Sequence, residues 1–202
     1  MTIEKKVTPI GEARWCYTRT TEKINGVDTG KFVANLVLSK KDTAALQKYL
    51  KPLAEAVKTD EQFKGKKFAG EPKTGLKEIL EDGRGVFKFS THKKSKNKSG
   101  EEFERKVFVF DAKKNNVDAQ IGNGSLIKVG FFASPYHMSK DNYGLTLRLL
   151  AIQVLELKEY NSGSGNAEDF GFDEEEGYEA LAGFDGEEVE TSDDEDGEDE
   201  DF

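Results

Sequence analysis

The chain has 202 residues and a formal net charge of −9, enough for one domain and an appendage rather than several domains. Its single cysteine, Cys16, excludes an intramolecular disulfide and a multi-cysteine zinc site, and no stretch reaches the roughly 18 apolar residues of a membrane-spanning helix. The charge is split: residues 1–160 carry +10, while residues 161–202 carry −19 and contain no Lys or Arg, an asymmetry that points to a polyanionic partner. With no apolar run from Met1 to Ile10 there is no signal peptide to read, and a cytoplasmic protein is the expectation.

In chain order, residues 12–19 favour a strand, and Asn25-Gly26 and Asp28-Thr29-Gly30 read as turns. Lys31 to Leu38 alternates, with Phe32, Ala34, Leu36 and Leu38 on one face. Asp42 is a suitable N-cap, and Ala45, Leu46, Tyr49, Leu50, Leu53 and Val57 recur at three- and four-residue steps, predicting a helix over 43–58 with Pro52 inside it. Residues 60–82 read as a polar loop with a short helix near Leu76 to Leu80. Gly85 to Thr91 reads as a strand, 93–101 as a basic hairpin loop, and Phe103 to Phe110 as its return strand. Gly122-Asn123-Gly124-Ser125 is a turn, and Leu126 to Ser134 a strand broken by Pro135. In Tyr143 to Leu157 the apolar parity switches after Leu149, as a β-bulge near Leu150 would produce; a helix is the rival for this segment.

Five or more strands and one helix predict a mainly β domain over 1–160, a five-stranded OB-fold barrel, because closure removes exposed edges in so small a sheet. Ser162-Gly163-Ser164-Gly165 reads as a linker. The acidic segment 161–202 is expected to be a disordered tail, since like charges repel and little apolar surface is available to bury. Its aromatics, Phe170, Phe172, Tyr178, Phe184 and Phe202, read as anchors for a partner.

Catalytic and cofactor signatures are absent from the sequence. His92 and His137, the only histidines, lack metal-ligand spacing and read as surface or groove residues. Gly65-Lys66-Lys67 lacks the upstream glycine of a P-loop, Gly122-Asn123-Gly124 follows no βαβ unit, no nucleophile elbow occurs, and Asp193 to Asp199 lacks EF-hand spacing. No enzyme, metal or cofactor is expected. Single-strand binders instead combine cations that follow phosphates with aromatic faces that stack on bases. The candidates for that role are Arg14, Trp15, Tyr17, Lys88, Lys93, Lys94, Lys96, Lys98, Arg105, Lys106, Tyr136, His137, Tyr143 and Arg148. Phe87, Phe89, Phe108 and Phe110 read as core, because alternation must supply an interior. No base-reading motif appears, so little sequence preference is expected. The alternatives are an acidic-tailed protein chaperone or interaction scaffold, and an RNA-binding OB module. A tethered polyanion also competes for a basic groove, so removing 161–202 is expected to tighten binding at low salt.

The order of these segments resembles the single-stranded DNA-binding proteins of T-seven-like bacteriophages. The likeness rests on Gly30-Lys31-Phe32, Phe87-Lys88-Phe89, the basic hairpin, Val109-Phe110-Asp111, Gly124-Ser125-Leu126-Ile127-Lys128-Val129, Ser134-Pro135-Tyr136, Leu155-Glu156-Leu157 and the terminal Asp201-Phe202. Residues 59–84 and the N-terminus depart from the pattern. The resemblance implies an OB barrel that coats and protects single-stranded DNA in replication, recombination and repair, promotes annealing, and works in the cytoplasm of an infected bacterial host. It implies DNA contacts at Lys93, Lys94, Lys96 and Tyr136. It further implies a homodimer and a tail, Asp196, Glu198, Asp199, Glu200, Asp201 and Phe202, that contacts the phage DNA polymerase and primase-helicase.

Overall fold

Five strands build the barrel: β1 (Gly11–Tyr17), β2 (Lys31–Leu38), β3 (Gly85–His92), β4 (Leu126–Ser139) and β5 (Asn142–Glu156), with α1 (Lys40–Glu55) between β2 and β3. The computed structural model describes residues 4–97 and 99–158. Lys98, the 162–165 linker and the tail with its aromatics and Asp196, Glu198, Asp199, Glu200, Asp201 and Phe202 lie outside the described residues.

β1 pairs with β2 and β2 with β3, both antiparallel. β3 meets β5 in parallel at Phe89↔Leu147 and Ser90↔Arg148. β5 runs antiparallel to β4, and β4 returns to β1 at Leu126↔Glu12 and Ile127↔Gly11. The ring is closed, in the OB arrangement expected from the alternation. Phe32, Ala34, Leu36, Leu38, Phe87, Phe89, Ile127, Val129, Phe131, Leu145, Leu147 and Leu149 fill it. The parity switch in β5 has the expected cause: Gly130 faces Ala151 and Phe131 faces Leu149, so Leu150 is the extra residue of a bulge and burial resumes at Ile152 and Val154.

The helix begins three residues before the expected start, and its cap is Ser39. The Ser39 hydroxyl oxygen accepts the Asp42 N–H at 3.1 Å and the hydroxyl donates to Asp42 Oδ2 at 2.6 Å, so Asp42 is the partner of the cap, not the cap itself. Thr43, Leu46, Leu50 and Ala54 form its buried stripe. Pro52 is tolerated because it and Lys48 lie on the exposed face, where water can take the freed carbonyl. The chain leaves α1 through a 3-10 turn, Ala56–Thr59.

Three expectations are corrected. Leu76 to Leu80 is not helical: Leu76–Ile79 is a strand on β3. β3 and β5 touch only at two residue pairs, which leaves the first half of β3 without a neighbour on that edge, and this strand supplies the missing ladder. The expected return strand 103–110 is two pieces. Glu102–Glu104 pairs with Lys94–Lys96 in a separate arm, and Phe108–Phe110 runs parallel to β5. Finally, Pro135 does not break β4, which continues to Ser139. Past Phe131 β4 has β5 as its one neighbour, so proline's missing N–H removes no ladder bond on the open side.

Candidate nucleic-acid interface

The outer face of the barrel holds an open groove of about 560 Å3. β2 supplies Lys31, β3 Lys88, Ser90 and His92, and β5 Thr146 and Arg148; β4 contributes Tyr136 and Met138. The remaining wall is the segment ahead of Leu76, with Lys73, and the start of the strand Leu76–Ile79, with Lys77. That segment is strapped to the barrel by main-chain bonds: Lys73 N–H to Tyr143 O at 2.9 Å, Leu145 N–H to Lys73 O at 2.7 Å, and Lys88 N–H to Gly75 O at 3.1 Å. Gly144, at φ 139°, makes the close approach feasible, because a Cβ there would run into the Lys73 backbone.

Six of the lining residues are cationic or titratable bases, and among the described residues no carboxylate lines the groove. Lys88 is committed to Glu22 at 2.8 Å. Lys73 Nζ donates to Asn142 Oδ1 at 3.0 Å, and the Tyr136 hydroxyl donates to the same oxygen at 3.2 Å, so one amide holds an ammonium and a phenol at one end. Burial raises the Tyr136 phenol above its ordinary value. At the other end Arg148 is half-buried and has no carboxylate partner among the described residues. Burial, and then the charge of Arg105, hold its guanidinium below the usual arginine range. His92 is likewise lowered, by burial and then by Lys31, Arg148 and Arg105. Like charges without counter-ions in a partly desolvated site form a receptor for an anion.

The sequence candidates divide. Lys88, Tyr136 and Arg148 meet in this groove. Lys93, Arg105 and Lys106 line a neighbouring cleft of about 790 Å3 together with Phe108. Lys94 and Lys96 stand on the small arm, Lys96 within 3.4 Å of Glu102. Arg14 pairs with Glu78 at 3.3 Å. Trp15 and Tyr17 line a separate pocket of about 370 Å3 with Arg19 and Asn123. Trp15 sits on a β1 bulge at φ 53°, its N–H bound to Asn123 Oδ1 at 2.7 Å. His137 turns to the 63–68 segment, Nε2 2.9 Å from Lys67 O and its ring edge-on to Phe68 at 5.0 Å.

Two aromatic expectations are corrected. Tyr143 offers no stacking face: it is 1 % exposed, packs on Phe68 at 4.9 Å and donates its hydroxyl to Gly70 O at 2.7 Å. It is the first inward residue of β5, which alternation requires to be core. Phe108, expected in the core with Phe87 and Phe89, is 53 % exposed. Lys31, Lys73 and Lys77 were missed as groove residues, while His92, read as a surface or groove histidine, is found in the groove. Lys31 was findable, since it is on the outward parity of β2 and faces His92 in the ladder. Lys73 was not, because no periodicity marks how its segment straps onto β5, and Lys77 was not, because its strand reads as a short helix.

No family model and no curated protein matches the chain. Solved structures do. The chain is similar to gp2.5, a single-stranded DNA-binding protein encoded by bacteriophage T7, with a TM-score of 0.63 and 20 % identity over 89 % of this chain and 100 % of that one. It is also similar to the single-stranded DNA-binding protein of bacteriophage Enc34, with a TM-score of 0.54 and 10 % identity over 83 % of this chain and 90 % of that one. The structure of the Enc34 protein in complex with single-stranded DNA matches with a TM-score of 0.52 and 10 % identity, over 78 % of this chain and 89 % of that one. At these identities the likeness is one of fold.

Proposed function

We propose that this protein binds single-stranded DNA without sequence preference, laying the strand in the groove between Tyr136 and Arg148. The observation that carries this is Arg148: a half-buried cation with no carboxylate partner among the described residues, flanked by His92 in a groove that no acid lines. Backbone phosphates supply the missing counter-charge, and Tyr136 supplies a ring for a base. The groove is open, so the strand is held by its backbone and by stacking. The shared fold with phage proteins named for single-strand binding supports the same reading. Coating of DNA in phage replication, recombination and repair, annealing, dimer formation and recruitment of replication proteins by the acidic tail belong to this proposal. They are supported by the sequence resemblance and by the −19 charge of residues 161–202.

The test is titration of a fluorescent oligo-dT with the full chain at several salt concentrations, with a duplex of equal length and an RNA of equal length as controls. Single-strand binding that weakens linearly in log salt, at about −0.7 per phosphate engaged, supports the proposal. Equal affinity for duplex, preference for RNA, or no binding overturns it.

A further inference from the structure

Phe108 opens the short strand Phe108–Phe110, which pairs with β5 from Ala151 to Gln153. Its ring is 53 % exposed and stacked beside Phe110, with centroids 6.3 Å apart and planes 19° apart. An exposed flat ring forgoes the transfer energy that burial would recover. It fronts a groove of about 610 Å3 floored by Phe132, Leu150 and Ala151. The cations there include Lys5, Arg105 and Lys106, and among the described residues no carboxylate lines it. Lys6, also on the rim, is bound to Glu4 at 2.8 Å, whereas the other three have no carboxylate partner among the described residues. This groove adjoins the one described above. Arg105 donates to Thr91 Oγ1 at 3.4 Å, next to His92, and its charge is felt at both His92 and Arg148. An apolar floor under an exposed ring, with an unbalanced positive rim, matches an unstacked base and its flanking phosphates.

We propose that the Phe108 groove is a second contact for the same single strand, which passes from Arg148 over Arg105 and places an unstacked base on the Phe108 face. This rests on the single-strand function proposed above and extends the path beyond the Tyr136–Arg148 groove. Lys5, Arg105 and Lys106 then take the phosphates on either side of that base. The occupied length of strand is longer than the first groove alone can cover.

The experiment compares oligo-dT of about 4 and about 16 nucleotides, the range covered by single OB folds, on the full chain and on Phe108→Ala. The expected result is a loss on the order of ten-fold for the long oligonucleotide, the worth of one stacked base, with the short one unchanged. Phe108→Trp should restore long-strand affinity and Phe108→Leu should not, because leucine keeps the apolar bulk but has no ring face. If the full chain binds neither length, the proposed function itself fails. If it binds both and Phe108→Ala changes neither, only the second contact is refuted. If Phe108→Ala tightens long-strand binding, the groove holds a competing occupant such as the chain's own acidic aromatic segment, and the second contact is again refuted.

Discussion

Replacing Arg148 by Met separates binding from stability. Methionine replaces the apolar stem of arginine but carries no charge. If Arg148 grips a phosphate, the variant loses one charge-assisted contact, about 1.5–3 kcal/mol, or roughly 10- to 150-fold in Kd. It also releases one fewer counter-ion, so the slope of log affinity against log salt becomes shallower by about 0.7. The free protein should behave oppositely. In the wild type, the guanidinium is half-buried, has no carboxylate beside it and is pressed by Arg105. Removing it relieves desolvation and repulsion, so unfolding free energy stays level or rises by up to about 1 kcal/mol. Oligo-dT titrations at four salt concentrations read the slope, and urea unfolding of the same samples reads the stability. An unchanged slope, or a variant that unfolds more easily, refutes the assignment of Arg148 as an anion receptor, since the second result would mean that the side chain already has a stabilising partner.

His92 lies below the ordinary histidine value, so the unfolded chain takes up the proton first and stability should fall as pH drops below about 6.5. A bound phosphate favours the imidazolium, so DNA affinity should rise over that same window; calorimetry in buffers of different ionisation enthalpy should show proton uptake in the wild type and none in His92→Gln. Gly144→Ala, which drives a Cβ into the Lys73 backbone from a left-handed position, should cost about 3 kcal/mol, read by urea unfolding, and should weaken DNA binding by displacing Lys73. Desolvation pushes the Cys16 thiol up to about 12, so at about pH 8 a thiol reagent should label the native chain more slowly than the unfolded one, at one site per chain.

Alternation made the barrel legible. β2 and β3 show it directly, and the switch of parity after Leu149 points to a bulge near Leu150, where the ladder has its extra residue. The errors share a cause: local pattern cannot report which ladder edge lacks a partner. Leu76-Lys77-Glu78-Ile79-Leu80 fits a helical period as well as a strand; the free half of β3 decides for the strand. Pro135 is a breaker only where a second neighbour wants its N–H. At the site, the groove cations on regular strands were readable by parity, as Lys88 and Arg148 show. Lys73 arrives on a strap bonded to β5, and Lys77 on the strand that fills the gap along β3. Phe108 looked like core because Phe87 and Phe89 are core, yet its strand lies on the outside of the ring.

The two seams that close the barrel join residues far apart in the chain: Phe89 with Leu147, and Gly11 with Ile127. Contacts of such sequence separation slow folding, to the order of milliseconds to seconds for β-barrels of this kind. Arg148 sits in one of those seams. A nascent chain emerging from the ribosome therefore cannot assemble the cationic groove until β5, which ends at Glu156, has been made. With the groove as the proposed strand-binding site, that grip forms late, which spares a half-made polypeptide from being trapped on nucleic acid while its sheet edges are still open.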